Sequence, residues 1–231
     1  MSNPVFLCTD LAGDQVVLDG PEGRHAVVVR RLRVGESVDL VDGLGTRVTG
    51  SVLSLGKDSL VATVVTRELE AAPSPRITLV QALAKGDRGE LAVELATEVG
   101  IDEIVPWAAA RCVVKWDAAP KALERWRSTA REAAKQSRRS WFPVVRDLAR
   151  TAAVAELPGQ LLVLHEDATV ALSTVPLTGD VVLVVGPEGG ISAEELAALG
   201  GTAVRLGPSV LRTSTAGAAA AAVVSARTAR W

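Results

Sequence analysis

The chain has 231 residues, 48% apolar and 23% charged, with a formal net charge of −2. That balance is ordinary for a globular protein with a real core, and it excludes a uniformly basic coat for nucleic acid. Two isolated cysteines, Cys8 and Cys112, and only two histidines exclude a structural zinc site and fit a reducing cytoplasm. Residues 1–14 carry no basic-then-apolar signal pattern. The longest apolar run, around 218–224, is far below the ~20 residues of a membrane span, so no membrane partner is expected.

Residues 1–69 read as all-β. Short β-branched runs at 5–9, 15–18, 37–41, 46–55 and 60–65 are separated by turn residues, which suggests a small barrel. A helical stretch at 23–32 interrupts them, carrying His25, Arg30 and Arg31, with Arg33 just beyond. His25 suits either a hydrogen-bonded turn or an RNA contact. The arginines suit either a solvated face or a phosphate-contacting one, and the second is favoured because the segment otherwise carries excess acid.

Residues 71–76 form a linker marked by Pro73 and Pro75. A buried strand is expected at 77–83. Lys85 and Arg88 follow in a loop as candidate RNA contacts, and a helix at 90–99 shows Leu91, Leu95 and Val99 on one face. A strand at 104–107 and a short apolar run at 111–115 come next. Pro120 suits the first turn of a helix over 121–137. On that helix Arg127, Arg131, Lys135 and Arg138 fall at i, i+4, i+8 and i+11, while Leu123, Trp126, Ala130 and Ala133 lie on another side. Residues 111–150 hold eleven Lys/Arg, Arg139 among them, against four acids. An anionic partner would meet this segment, although a solvated helix face is the ordinary reading of such a stripe. Trp141 and Phe142 either stack on a base or pack.

A third buried strand at 161–164 ends in His165-Glu166-Asp167. Adjacent residues on one loop rarely converge on one ion, so no metal is expected there. The run 181–185 is five apolar residues without alternation, as in a parallel strand covered on both faces. Gly186-Pro187-Glu188-Gly189-Gly190 breaks it, and Ser192 with Glu195 has capping-box spacing. A short strand at 203–206, Gly207-Pro208 and Leu211-Arg212-Thr213-Ser214-Thr215 lead into an alanine-rich helix to about Arg227. Two glycine-containing loops at the C-terminal ends of buried strands mark where an open α/β sheet places a ligand. Either loop alone could be only a tight turn. Neither matches a phosphate-binding pattern, and Glu188 favours a neutral or cationic ligand.

GPEGGIS-x-x-E followed by LGPSVLRTSTA resembles the paired signatures of the SPOUT-class RNA methyltransferases, and within them the RsmE family. RHAVVVRRLRVGESVDLVDG and ERWRSTAREAAKQSRRSWFP resemble further segments of that family. The resemblance implies an α/β fold: a trefoil-knotted SPOUT methyltransferase domain over 77–231 and a small N-terminal PUA-like β-barrel over 1–70. It implies methylation of uridine N3 in 16S ribosomal RNA of the small subunit, with S-adenosylmethionine as cofactor. Three cofactor-lining segments follow from it: Leu164, His165 and Glu166; Gly186, Pro187, Glu188, Gly189 and Gly190; and Leu206, Gly207, Val210, Leu211, Arg212, Thr213, Thr215 and Ala216. The chain departs from the family pattern at Leu95, Lys135, Val210 and Ser214.

Methyl transfer to N3 requires the loss of a weakly acidic proton, hence a base or a cation that stabilises the N3/O4 anion. Arg212 is the candidate cation and Glu188 the candidate base; either could instead fix loop structure through an ion pair. A homodimer is expected because residues 216–226 supply small side chains that invite close approach by other backbone. The rival readings are a non-enzymatic RNA-binding or ribosome-assembly protein with this fold, and a methyltransferase acting on another RNA position. A nucleotide-binding dehydrogenase lacks its fingerprint.

Overall fold

The computed structural model describes residues 3–116 and 120–231. The chain divides into two compact units, Met1–Ala72 with Ala134–Phe142, and Pro73–Ala133 with Pro143–Trp231.

The first unit holds β1 (Val5–Leu7), β2 (Gln15–Leu18), α1 (Gly20–Arg24), β3 (Ser37–Val41), β4 (Thr46–Leu55) and β5 (Leu60–Leu69). The strands form one sheet in the order β1-β3-β4-β5-β2, with β1 parallel to β3 and the other pairs antiparallel. Alternation along β3 and β4 sends Val38, Leu40, Val48 and Val52 into a core with Phe6, Val16, Leu18 and Leu60. The sheet curls so far that the Cys8 thiol, just past β1, donates to Val17 O of β2. The helical stretch expected at 23–32 is α1 followed by a π-turn, His25–Val29. Segment 134–142, which sequence alone assigns to the second domain, packs here: Trp141 Nε1 donates to Glu70 O and Ser140 Oγ to Glu70 Oε1.

The second unit is a six-stranded parallel sheet. Its elements are β6 (Ile77–Ala82), α2 (Arg88–Glu98), β7 (Glu103–Trp107), most of α3 (Pro120–Gln136), β8 (Val144–Val145), α4 (Thr151–Ala155), β9 (Gln160–Leu164), β10 (Val181–Val185), α5 (Ala193–Leu199), β11 (Thr202–Val204) and α6 (Thr213–Arg227). The strand order is β11-β9-β10-β6-β7-β8. Both faces are covered, which explains the unbroken apolar strands. Ile77, Leu79 and Leu183 face α2 and α6, while Val80, Val182 and Val184 face the α4 and α5 side.

The buried face of α2 is Gly89, Ala92, Val93, Ala96 and Thr97 rather than the expected leucine row, and Leu91 is exposed. Small residues win because α2 packs directly on the alanine-rich α6, so the two backbones must approach closely. A Cβ on Gly217 of α6 would lie 2.9 Å from the Leu79 methyls. Ala220 is fully buried within this single chain, as are Ala221 and Val224. The run at 111–115 forms no strand.

Candidate donor cleft and basic surfaces

β9, β10 and β11 are parallel and in register, Leu164 opposite both Val185 and Val204. Their C-terminal ends are therefore level, and three loops leave the sheet side by side. Between them lies a cleft of about 460 Å³. Residues from all three sequence segments line it: Leu164, His165 and Glu166; Gly186, Pro187, Glu188 and Gly190; and Leu206, Gly207, Val210, Leu211, Arg212, Thr213 and Ala216.

Gly189 and Thr215 do not line the cleft. Gly189 turns toward the loop after β7, where a Cβ would meet Arg111 Cβ at 3.2 Å. The Thr215 hydroxyl donates to Arg212 O at 3.2 Å, starting α6. The glycine at 189 thus serves a close approach by another side chain, not bare backbone offered to a ligand. Gly190 has φ +73°, which suits glycine.

Arg88 and Arg205 also line the cleft. Arg88, expected on an RNA-facing surface, donates from Nη1 to Glu188 Oε1 at 3.4 Å. Both side chains are partly solvated, so this pair contributes at most about 1 kcal/mol and exchanges easily. Arg205 directly follows β11, and that strand-end position was its signal. His165 Nδ1 accepts from Asp167 N–H at 3.3 Å, a turn contact. Behind the cleft, burial pushes the Cys112 thiol up from its ordinary pKa, so it remains protonated and poorly nucleophilic at neutral pH. Among the described residues, no group of three or more His, Cys, Asp or Glu side chains could hold a metal ion. No described helix is long and apolar enough to cross a membrane.

The candidate RNA-contacting residues divide sharply. Arg30, Arg31 and Arg33 are exposed beyond the π-turn, Arg31 with φ +55°. His25 is half-buried, its ring edge-on to Phe6 with centroids 5.8 Å apart, so it packs against the barrel core. Lys85 and Arg131 are exposed. Arg127 is held by Glu124 at 2.7 Å and Asp147 at 2.9 Å, and the hydrogen bond it donates to Glu124 is the main cause of its raised pKa. The stripe does not continue: α3 ends at Gln136 and Arg138 takes φ +56°. Arg138 is exposed and Arg139 half-buried, its N–H donating to Ala134 O.

Lys135 does not belong to the exposed basic stripe expected of this helix. It is 6% exposed, and its Nζ donates to Glu22 Oε1 at 2.6 Å. The helix has by then entered the first unit, where Glu22 also accepts from Leu7 N–H. Lys135 is therefore a buried structural cation that does not reach an RNA phosphate. Lys135→Ala is expected to cost about 3 kcal/mol, because it strands a part-buried carboxylate. Denaturant unfolding checks this, and RNA affinity of the folded fraction should be unchanged.

A parallel sheet with a glycine-loop cleft at its strand ends, in a chain that also carries a small β-barrel with exposed arginines, defines an RNA methyltransferase of the SPOUT class. Residues 71–225 match the family model described as an RNA methyltransferase domain, and residues 18–65 match the RNA methyltransferase PUA domain. The chain belongs to the ribosomal RNA small subunit methyltransferase E family. It is 46% identical to the member from Mycobacterium tuberculosis (strain CDC 1551 / Oshkosh), over 95% of this chain and 89% of that one. Identity to the Bacillus subtilis (strain 168) member is 30%, over 91% and 90%. A ribosomal RNA small subunit methyltransferase E from Neisseria gonorrhoeae, crystallised bound to S-adenosyl methionine, superposes with a TM-score of 0.88 at 29% identity, covering 98% of both chains.

Proposed function

We infer that this protein transfers a methyl group from S-adenosylmethionine to N3 of a uridine in 16S ribosomal RNA. The observation that carries the reading is the single cleft into which three separate sequence segments converge at level strand ends. Its volume lies within the range of about 300–1,000 Å³ typical of small-molecule sites. Its lining offers glycine backbone, apolar Leu164, Leu206 and Val185, and carboxylates and guanidinium groups together. That mixture fits a donor with an aromatic base, a cationic sulfur and an amino-acid end. When bound, the donor supplies an electrophilic methyl group.

The chain's own residues do the rest. Backbone at Gly186–Glu188, Gly190 and Leu206–Leu211 orients the donor, replacing reaction entropy with fixed geometry. Glu188 takes the N3 proton, and Arg212 stabilises the negative charge that develops on N3 and O4. The exposed Arg30, Arg31, Arg33, Arg131 and Arg138 contact phosphates, which positions the RNA without reading its sequence. The trefoil threading of the C-terminal segment belongs to the same reading. It is supported by Leu172 and Val175 sharing one core with Ala216 and Ala220, and by Arg227 Nη1 donating to Leu172 O. The enzyme works in the cytoplasm as a homodimer, pairing through the half-buried Ala218, Ala219, Ala222 and Val223 of α6.

Incubation with labelled S-adenosylmethionine and small-subunit RNA lacking the modification tests the reading. Methyl incorporation should create one primer-extension stop, because an N3 methyl blocks Watson–Crick pairing. Donor binding without incorporation into any small-subunit substrate would refute it. Reversing Arg131 and Arg138 to glutamate should leave donor affinity intact and flatten the dependence of log K on log salt by about 0.7 per lost phosphate contact. An unchanged slope in filter binding would remove both from the RNA surface.

A further inference from the structure

The glycine loop is fastened from behind. Arg111, in the loop after β7, donates from Nη1 to Gly189 O at 3.0 Å, and its Cβ packs where a side chain at 189 would stand. The preceding residue, Ala110, donates its N–H to Glu195 Oε1 at 2.9 Å. The Thr151 hydroxyl donates to the same oxygen at 3.0 Å and accepts from Trp107 Nε1 at 3.2 Å. Glu195 is 8% exposed, and its N–H donates to Ser192 Oγ at 3.2 Å. Three segments, the β7 end, the start of α4 and the start of α5, thus meet on one carboxylate oxygen.

Glu195 Oε2 has no hydrogen-bond partner among the described residues. Burying a carboxylate with one bare oxygen is costly, and Leu199 already docks α5 by apolar packing. The carboxylate adds direction, a tie to Ala110 that apolar contact cannot supply. Neither Glu195 nor Arg111 lines the cleft. We propose that Glu195 is a positioning residue for donor binding: through Ala110 it sets Arg111, and Arg111 holds the Gly186–Gly190 loop in the shape that accepts the donor. This rests on the donor reading of the cleft.

Titration calorimetry with S-adenosylmethionine and thermal unfolding, on the full chain, test the proposal. Arg111 is exposed, so Arg111→Ala should keep native circular dichroism and melting temperature while weakening donor binding about tenfold, the scale of one charge-assisted hydrogen bond. Glu195→Ala should weaken it about as much. The double variant should be no weaker than either single one, because both cut the same chain of contacts. Glu195→Gln should retain most of the affinity, since its amide oxygen still accepts from Ala110 and Thr151. Single-turnover methylation at saturating donor should change little in all four. Wild-type affinity in Arg111→Ala, additive losses, or an equal fall in the saturated rate would overturn the clasp alone. Failure of the wild-type protein to bind the donor would overturn it together with the reading of the cleft.

Discussion

Arg212→Ala is expected to lower the methylation rate at saturating substrates by about 10²–10³-fold, the usual cost of removing one donor aimed at developing charge. Donor affinity and melting temperature should hardly move. The reason lies in how residue 212 serves the fold. Its carbonyl accepts from the N–H groups of Thr215 and Ala216, both at 2.9 Å, and so starts α6. Any residue provides that carbonyl. The side chain makes no capping bond and is exposed in the cleft. Arg212→Lys should recover part of the rate, restoring charge but not the planar fork. A saturated rate within about fivefold of wild type for Arg212→Ala would shift the cationic role elsewhere, with Arg88 and Arg205 as the remaining arginines of the lining.

Ala220→Arg is expected to abolish folding altogether. Ala220 is fully buried in one cluster with Leu79, Leu183 and Val224. An unpaired guanidinium there faces both overpacking and desolvation, and the sum exceeds the roughly 5–15 kcal/mol that holds an ordinary domain together. Loss of soluble protein, or of native circular dichroism, is the readout. A folded variant at any oligomeric state would show that α6 can roll on α2. Ala219→Arg separates folding from association, since Ala219 is only half-buried. It should fold, and in sedimentation equilibrium it should run near the chain's own 24.0 kDa if α6 forms the dimer contact.

The same helix shows where sequence pattern stops. A run of alanines says that something approaches closely, yet not from which molecule. Here the approach comes from α2 and β6 of the same chain, with Gly217 seated on Leu79. Periodicity at α2 pointed to Leu91, Leu95 and Val99, whereas the close helix pair selects Ala92 and Ala96. Spacing along α3 put Lys135 on a basic stripe with Arg131. The first unit's Glu22 then captured it, a partner 113 residues away that no local pattern reveals.

What the sequence determined by itself is what depends on neighbours along the chain. The unbroken apolar run at 181–185 requires a strand covered on both faces, the glycine loop must end it, and Ser192 caps the next helix by accepting from Glu195 N–H. Two glycine loops were also legible as candidate ligand loops, because each follows a buried strand, while the third segment, at His165, came from the family resemblance. Tertiary structure decided the rest: which glycine opens to the cleft and which to Arg111, and where the Glu195 carboxylate goes. In a closed capping box that carboxylate would return to its own helix start. Instead it accepts from the Ala110 N–H and the Thr151 hydroxyl, which the end of β7 and the start of α4 bring beside it from 85 and 44 residues away, a pairing that no local pattern reveals.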